Sequence, residues 1–210
     1  MPDLDALLDA GHPPIVAILR GLDPDKALEV GQALFAAGIR IMEVPANSPR
    51  WQDSVARLVA ECGDRALVGS GTITTPALAD ALHEAGGRLL VSPNCDPLVI
   101  ARGRELGMDV MPGVMSATEA FAAIAAGAHH LKLFPAASVP EGHVAALLDV
   151  LPGDASIWAV GGINADNAKT WLKSGARGIG VGGAVFRPAM EPAEVERRAR
   201  NLVERLGSAD

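Results

Sequence analysis

The amino-acid sequence predicts a single (β/α)₈ barrel, the TIM-barrel fold of the α/β class. Short β-branched apolar runs alternate with Ala/Leu-rich amphipathic stretches along the 210 residues, an alternation typical of βα units repeated around a parallel sheet. Eight such runs are enough to close a barrel. The predicted strands lie near 15–19, 39–44, 66–71, 88–92, 109–112, 129–134, 156–160 and 178–182.

Glycines and capping residues mark the ends of the predicted helices. Asp23-Pro24 and Thr75-Pro76 each place an N-cap before proline, and Ser116-Ala-Thr-Glu119 has the form of a capping box. We expect one domain over 1–210, with a short N-terminal helix at 3–10 across the barrel bottom and a closing helix at 191–206. A left-handed residue is expected just past six helices, at Gly38, Gly63, Gly86, Gly107, Gly127 and Gly175.

Composition narrows the classes of partner and compartment. The chain is 49% hydrophobic and 20% charged, as in soluble globular proteins, and its net charge of −7 argues against nucleic acid as a partner. Cys62 and Cys95 are too few for a disulfide scaffold and lack the spacing of a zinc site, which favours a reducing compartment, the cytoplasm. The acidic N-terminus and the absence of a long apolar run disfavour secretion and membrane insertion.

Polar residues follow four of the apolar strands, where the active site of a βα barrel lies. Arg20, Glu43, Thr72 and Lys132 are these residues, and alternation along each strand predicts that they point inward together. The inward sets predicted on this basis are Val16/Ile18/Arg20, Ile39/Ile41/Glu43, Val68/Ser70/Thr72 and His130/Lys132/Phe134.

Lys132 is the most informative of the four. It lies between Leu131 and Leu133 in a strand expected to be buried on both faces, where lysine is rare without a partner or a function. Apolar surroundings and a nearby arginine favour the neutral amine, which attacks a ketone to form a Schiff base. A structural ion pair with Glu43 is the alternative.

The other three residues suit chemistry on a 2-keto acid. Glu43 can move protons beside an iminium, although it can also serve as a buried partner of Arg20 or Lys132. Arg20 offers a planar fork for a carboxylate, and Thr72 offers a hydroxyl donor. No metal and no cofactor is expected, because His129 and His130 lack further ligands at metal spacing.

Two glycine pairs follow the last two predicted strands. Gly161-Gly162 and Gly182-Gly183 occupy the loops that bind phosphate in many βα barrels, where glycine lets backbone N–H groups approach the anion. The pairs could instead serve only tight βα turns. Together they favour a phosphorylated small-molecule ligand.

With these residues in place, the chain resembles the KDPG/KHG aldolase family over nearly its whole length. The resemblance implies a trimeric class I (β/α)₈ aldolase acting on a 2-keto acid sugar phosphate, with Lys132 as Schiff-base lysine and Glu43 as general acid/base. It further implies that Arg20, Thr72 and Pro93 line the keto-acid site beside Phe134, and that Gly161, Gly162 and Gly183 bind phosphate. The matching segments are Ala17-Ile-Leu-Arg20-Gly, Met42-Glu43-Val, Gly69-Ser-Gly-Thr72, Ser92-Pro93-Asn94, Met111-Pro-Gly113, Leu131-Lys132-Leu-Phe134-Pro135 and Val160-Gly161-Gly162.

Two details refine and complicate the resemblance. Asn47-Ser48-Pro49 stands where gluconate-specific members usually carry Arg-Thr-Pro, so the chain is similar to the galactonate-specific branch, and we expect the loop 45–49 to meet the substrate's C4 hydroxyl. The last loop reads Gly182-Gly183-Ala184, without the serine that usually helps to hold phosphate. The gluconate and 4-hydroxy-2-oxoglutarate aldolases, a thiamine-phosphate-synthase-like barrel and a non-catalytic sugar-phosphate binding protein stay as alternatives.

Overall fold

Parallel strands alternate with helices along the chain, as the sequence predicts. The computed structural model describes residues 1–207. The strands are β1 (Ile15–Ile18), β2 (Ile41–Glu43), β3 (Leu67–Ser70), β4 (Leu89–Val91), β5 (Asp109–Met111), β6 (Gly113–Val114), β7 (His130–Leu133), β8 (Ser156–Val160) and β9 (Gly178–Val181). The helices are α1 (Leu4–Asp9), α2 (Ala27–Ala36), α3 (Trp51–Cys62), α4 (Pro76–Glu84), α5 (Pro97–Glu105), α6 (Ala117–Ala125), α7 (Gly142–Leu148), α8 (Ala168–Lys173) and α9 (Pro192–Gly207).

The strands close into a barrel in the order β5-β4-β3-β2-β1-β9-β8-β7-β6. β5 pairs with β4, and β6 pairs with β7. Only Pro112, which has no N–H to donate, separates β5 from β6, and its carbonyl accepts a hydrogen bond of 2.8 Å from the Lys132 N–H. β5 and β6 therefore form one stave, and the predicted (β/α)₈ barrel is confirmed. The predicted strand 109–112 is wrong in extent, because this stave runs on to Val114.

Helix α1 fills the amino-terminal mouth of the barrel. The side chains of Leu4 and Leu7 are buried in the barrel interior, and the Leu4 N–H donates a 2.8 Å hydrogen bond to Asp109 Oδ2. Asp3 caps the helix by accepting from the Ala6 N–H. The strand residues that pack around this plug are Val16, Ile41, Leu67, Leu89, Val91, Met111 and Trp158.

The helix ends follow the capping signals with one exception. Ser116 and Glu119 form the predicted capping box at α6, and the predicted left-handed glycines have positive φ, as Gly38 does at 95°. Gly63 does not, because α3 ends there with φ −65°, so that prediction is wrong. Within residues 1–207, no helix is both long and apolar enough to cross a membrane.

The predicted alternation is wrong for β3. Leu67 packs inside the barrel, a side chain on Gly69 would strike Leu89, and one on Gly71 would strike the Glu43 carboxylate, so the odd-numbered residues face inward. Ser70 instead donates to the Val44 carbonyl at 2.6 Å. Glycine carries no side chain, so the residue pattern cannot reveal which face it occupies. Ile39, also predicted inward, precedes β2 and packs in the outer core.

Leu4 gives a test of the barrel plug. Leu4→Ala should lower the free energy of unfolding by about 2–5 kcal/mol, because the side chain is fully buried and its removal leaves a cavity. Val150→Ala, at a side chain that is 56% exposed, should cost less than about 0.5 kcal/mol. Urea denaturation of both variants checks this, and equal losses would contradict the interior placement of Leu4.

Candidate active site

One cavity of about 550 Å³ opens at the carboxyl ends of the strands. All nine residues singled out from the sequence line it, so the strand ends bring them together as expected. They are Arg20, Glu43, Thr72, Pro93, Lys132, Phe134, Gly161, Gly162 and Gly183. Three further lining residues were also considered from the sequence: Ile18 in a predicted inward set, and Gly182 and Ala184 in the last loop. The lining residues that were not singled out are Val160, Ile163, Asn164, Gly180 and Arg187.

Lys132 reaches the cavity from the barrel wall. Its side chain is buried, with 6% of the residue exposed, and Nζ lies 4.6 Å from the ring centroid of Phe134. Burial lowers the pKa of the amine, Glu43 opposes this shift by favouring the ammonium, and Arg20 adds to it by repulsion. The surroundings of Lys132 thus shift the amine towards its neutral form.

Glu43 lies at the end of β2 and is also buried. Burial raises the pKa of its carboxyl to about 7, against the opposing effects of Lys132, Arg20 and a hydrogen bond from the Gly71 backbone. Gly71 is required here, since a Cβ at that position would collide with the carboxylate oxygens. Oε2 has no hydrogen-bond partner among residues 1–207.

Lys132 and Glu43 influence each other's pKa without direct contact. Each perturbs the other electrostatically, yet within the described part of the chain no ion pair of 4.0 Å or less joins them. The structural ion pair considered as the alternative is therefore not formed in this structure. β2 and β7 lie four staves apart in either direction around the barrel, so the amine and the carboxyl group line the cavity from opposite strands.

Arg20 is held by the loop that follows β2. Its Nη1 donates to Asn47 Oδ1 at 2.6 Å, and the neighbouring Gly21 N–H donates to Ser48 Oγ at 2.9 Å. Residues 45–49 are not among those that line the cavity. The expected contact of this loop with a substrate hydroxyl is not supported, and its observed contact is with Arg20.

Thr72 enters the cavity through an unusual backbone conformation. Its φ of 59° is left-handed, which is rare for a β-branched residue and costs about 1–3 kcal/mol. Hydrogen bonds on both sides hold it: the Ala46 N–H donates to the Gly71 carbonyl, and the Ile73 N–H to the Val91 carbonyl. This kink turns Thr72 into the cavity although the preceding alternation would have turned it away.

The two glycine loops meet at the β8 and β9 side of the cavity. Gly161 and Gly162 both have positive φ, of 98° and 79°, and a Cβ on Gly162 would lie 2.6 Å from Ala137. Consecutive left-handed glycines expose backbone N–H groups to a ligand. On the other loop, Ala184 lines the cavity and supplies no hydroxyl.

Arg187 is the most important residue that sequence reasoning missed. It stands beyond the Gly182-Gly183 pair, and its Nε donates to the Gly183 carbonyl at 3.0 Å. Strand alternation points only to polar residues directly at strand ends, whereas a long side chain reaches the same cavity from farther along a loop. Ile18 belongs to a predicted inward set, and Val160 was detectable because it ends β8 with inward parity.

The family model for KDPG and KHG aldolase matches residues 9–199. The chain belongs to the KDPG and KHG aldolase family. It is 42% identical to the 2-dehydro-3-deoxy-6-phosphogalactonate aldolase of Escherichia coli K12 over 89% of this chain and 90% of that protein.

Solved structures agree with the family assignment. A native KDPGal structure superimposes with a TM-score of 0.89 at 40% identity, covering 91% of this chain and 93% of that one. A chain of a cube-shaped, highly porous protein cage designed by fusing symmetric oligomeric domains gives a TM-score of 0.90 at 40% identity, over 92% of this chain and 72% of the cage chain.

The raised pKa of Glu43 predicts the pH at which this carboxyl group loses its proton. Glu43 should titrate near pH 7, so difference infrared spectra of wild type minus Glu43→Gln should show a carboxylic-acid C=O band that fades as pH rises through this value. Glu29→Gln, at an exposed carboxylate, should leave that band in place. A Glu43 band that fades near pH 4.5 would contradict the effect of burial.

The raised pKa also has a defined effect on stability. Because folded Glu43 binds its proton more tightly than the unfolded chain does, this stabilisation is complete below pH 4.5 and is lost as pH rises through about 7. Glu43→Gln removes this dependence. The free energy of unfolding of the wild type, taken relative to that of Glu43→Gln, should therefore fall by on the order of 3 kcal/mol as pH rises across that window.

Asn47 should act through Arg20. Asn47→Ala removes the acceptor at 2.6 Å, so the keto-acid substrate should show a KM raised about 5- to 10-fold with kcat little changed, as expected for one lost hydrogen bond. Gln52→Ala, at a neighbouring exposed position, is the control. A fall in kcat alone would assign Asn47 another role.

Proposed function

We propose that the protein is a class I aldolase that cleaves 2-dehydro-3-deoxy-6-phosphogalactonate to pyruvate and D-glyceraldehyde 3-phosphate. The observation that carries this function is the buried amine of Lys132 across an open cavity from the raised-pKa carboxyl of Glu43. Family membership and the 42% identity to a 2-dehydro-3-deoxy-6-phosphogalactonate aldolase agree with it.

The first step uses the lowered pKa of Lys132. The neutral amine adds to the C2 carbonyl of the keto acid, and loss of water gives an iminium. The positive iminium draws electrons from the C3–C4 bond. Since burial is the main cause of the lowered pKa, the apolar wall around β7 contributes directly to the supply of the nucleophile.

The second step uses Glu43. Its carboxylate takes the proton of the C4 hydroxyl, the C3–C4 bond breaks, and the aldehyde product leaves an enamine on Lys132. Glu43 then returns the proton to C3, and hydrolysis releases pyruvate. A pKa of about 7 suits both tasks, because the acid and base forms are both well populated near neutral pH.

The surrounding residues are proposed to hold the two ends of the substrate. Arg20, Thr72 and Pro93 bind the keto-acid end beside Phe134, with the guanidinium of Arg20 facing the carboxylate. Backbone groups of Gly161, Gly162 and Gly183 bind the 6-phosphate at the opposite end. Their positions on the cavity wall support this orientation.

We favour the galactonate substrate over the gluconate epimer because of sequence similarity. The Asn47-Ser48-Pro49 loop differs from the gluconate pattern, and it contacts Arg20 rather than the cavity. Discrimination at C4 therefore acts through the position of Arg20 or through the cavity wall itself. Comparing kcat/KM for the two epimers with purified protein measures the preference.

Two other functions fit the structure less well. A thiamine-phosphate-synthase-like enzyme has no use for a buried lysine facing a carboxyl group. A non-catalytic sugar-phosphate binding protein would need the glycine loops but neither perturbed pKa. Both alternatives fail to explain why Lys132 and Glu43 are buried without a direct ion pair.

We also propose that the enzyme is a homotrimer in the cytoplasm. Exposed apolar side chains on α5 and α6, Leu98 at 71% and Phe121 at 46%, support a covered face between subunits. The structurally similar cage chain comes from symmetric oligomeric domains. Both cysteines are unpaired thiols, which supports a reducing compartment.

Borohydride trapping with pyruvate tests the Schiff base. Wild-type protein should gain the mass of one reduced pyruvate on Lys132, because reduction fixes the iminium, and Lys132→Ala should gain none and lose on the order of 10⁴-fold or more in kcat. Intact-mass and peptide mass spectrometry give the readout.

Lys26→Ala is the matched control, since this side chain is 43% exposed and pairs with Glu191 at the surface. It should trap pyruvate as the wild type does. An adduct that persists in Lys132→Ala, or no adduct in the wild type, would rule out the proposed nucleophile.

A further inference from the structure

The phosphate end of the cavity lacks a side-chain hydroxyl. The residues directly after β9 are Gly182-Gly183-Ala184, and these three can offer an anion only backbone groups. A phosphate monoester carries a charge of about −1.5 to −2 at pH 7, and this chain has a net charge of −7. A cation at this end would offset the charge of the phosphate.

Three cationic side chains line the cavity, and two of them are held by contacts away from the phosphate loop. Lys132 is buried beside Phe134, and Arg20 is tied to Asn47. The third, Arg187, belongs to the loop that follows the glycine pair. Arg187 is therefore the cation nearest in sequence to the proposed phosphate loop.

The guanidinium of Arg187 is anchored on one side only. Its Nε donates to the Gly183 carbonyl at 3.0 Å, which fixes the planar group against the glycine loop. Among residues 1–207, no hydrogen bond or ion pair occupies its two terminal nitrogens. These nitrogens present the fork that matches two oxygens of a phosphate.

The neighbouring loops restrict where Arg187 can lie. β1 pairs with β9, and a Cβ on Gly21 would lie 2.8 Å from the Pro188 ring, so the loop after β1 packs against the residue that follows Arg187. This contact limits the freedom of the Arg187 backbone. A guanidinium held this way loses little further entropy on binding an anion.

We propose that Arg187 binds the 6-phosphate of the substrate and replaces the missing serine hydroxyl as the side-chain ligand of this subsite. The inference rests on the proposed function for the identity of the substrate. Arg187 takes no part in bond cleavage. It contributes affinity for the phosphorylated aldehyde half and thereby selects phosphorylated over unphosphorylated keto acids.

Steady-state kinetics on two substrates separate this role from a structural one. For the 6-phosphorylated keto acid, Arg187→Gln should raise KM about 10- to 100-fold with kcat nearly unchanged, as expected for a lost charge-assisted pair. For the unphosphorylated 2-dehydro-3-deoxygalactonate, kcat/KM should stay within about twofold of the wild type. An equal loss on both substrates would overturn the proposal.

A rescue variant strengthens the test. A Cβ on Gly183 would lie 3.7 Å from Arg187 Nε, an ordinary contact, so Gly183→Ser is sterically allowed. In the Arg187→Gln background, this serine should recover part of the lost affinity for the phosphorylated substrate alone. Arg187→Lys keeps the charge without the fork and should give an intermediate KM. The bidentate contact would be contradicted if Gly183→Ser recovered no affinity and Arg187→Lys kept the wild-type KM. The role of Arg187 would then be that of a positive charge alone.

Inorganic phosphate supplies a readout that does not require catalysis. Calorimetric titration should show weaker phosphate binding in Arg187→Gln than in wild type by about 10-fold or more, while pyruvate trapping on Lys132 stays intact in the variant. Equal phosphate affinity in the two proteins would overturn the Arg187 proposal even with an active aldolase. Failure of pyruvate trapping in wild type would instead sink the proposed function and leave the phosphate result as the test of Arg187.

Discussion

The active site depends on the burial of two groups of opposite charge in one barrel without direct contact between them. Burial lowers the pKa of Lys132 and raises the pKa of Glu43, so both shifts favour the neutral group. The mutual attraction of the two charged forms opposes both shifts. A tight ion pair would restore the charged forms and occupy the space a substrate needs. Their separation therefore maintains both the chemical reactivity and the room for a ligand. The rest of the barrel can be understood as the frame that keeps these two strand ends apart.

That frame is built largely by residues that contribute no side chain. Gly71 lets the backbone approach the Glu43 carboxylate, and Gly69 lets β3 lie close to Leu89. At the other end of the barrel, α1 inserts Leu4 into the interior, so the strand ends are supported from below by a packed apolar core rather than by water. The glycines near the strand ends and the leucines of α1 thus both determine how closely the chain packs around the barrel interior.

Much of this architecture was predictable, because it depends on side chains with strong preferences. Alternating apolar runs indicated the eight staves, and a lysine between two leucines indicated the reactive amine. The failures share a different physical origin. The facing of β3 was misread because Gly69 and Gly71 have no hydrophobicity to report. The strand predicted at 109–112 ended too early, because the stave continues past Pro112 to Val114. Arg187 was missed because the reach of an arginine is not encoded in its distance from a strand end. Sequence patterns thus predicted what side chains bury better than what the backbone allows.

The left-handed Thr72 connects these observations to function. A β-branched residue with φ of 59° raises the energy of the folded chain, and glycine there would relieve the strain at the loss of a hydroxyl in the cavity. The flanking hydrogen bonds to Gly71 and Val91 hold the kink from both sides. Without it, strand alternation from inward-facing Gly71 would turn residue 72 towards the helices. The chain thus tolerates local strain at one strand end, and the consequence is that Thr72 lines the cavity that Lys132 and Glu43 share.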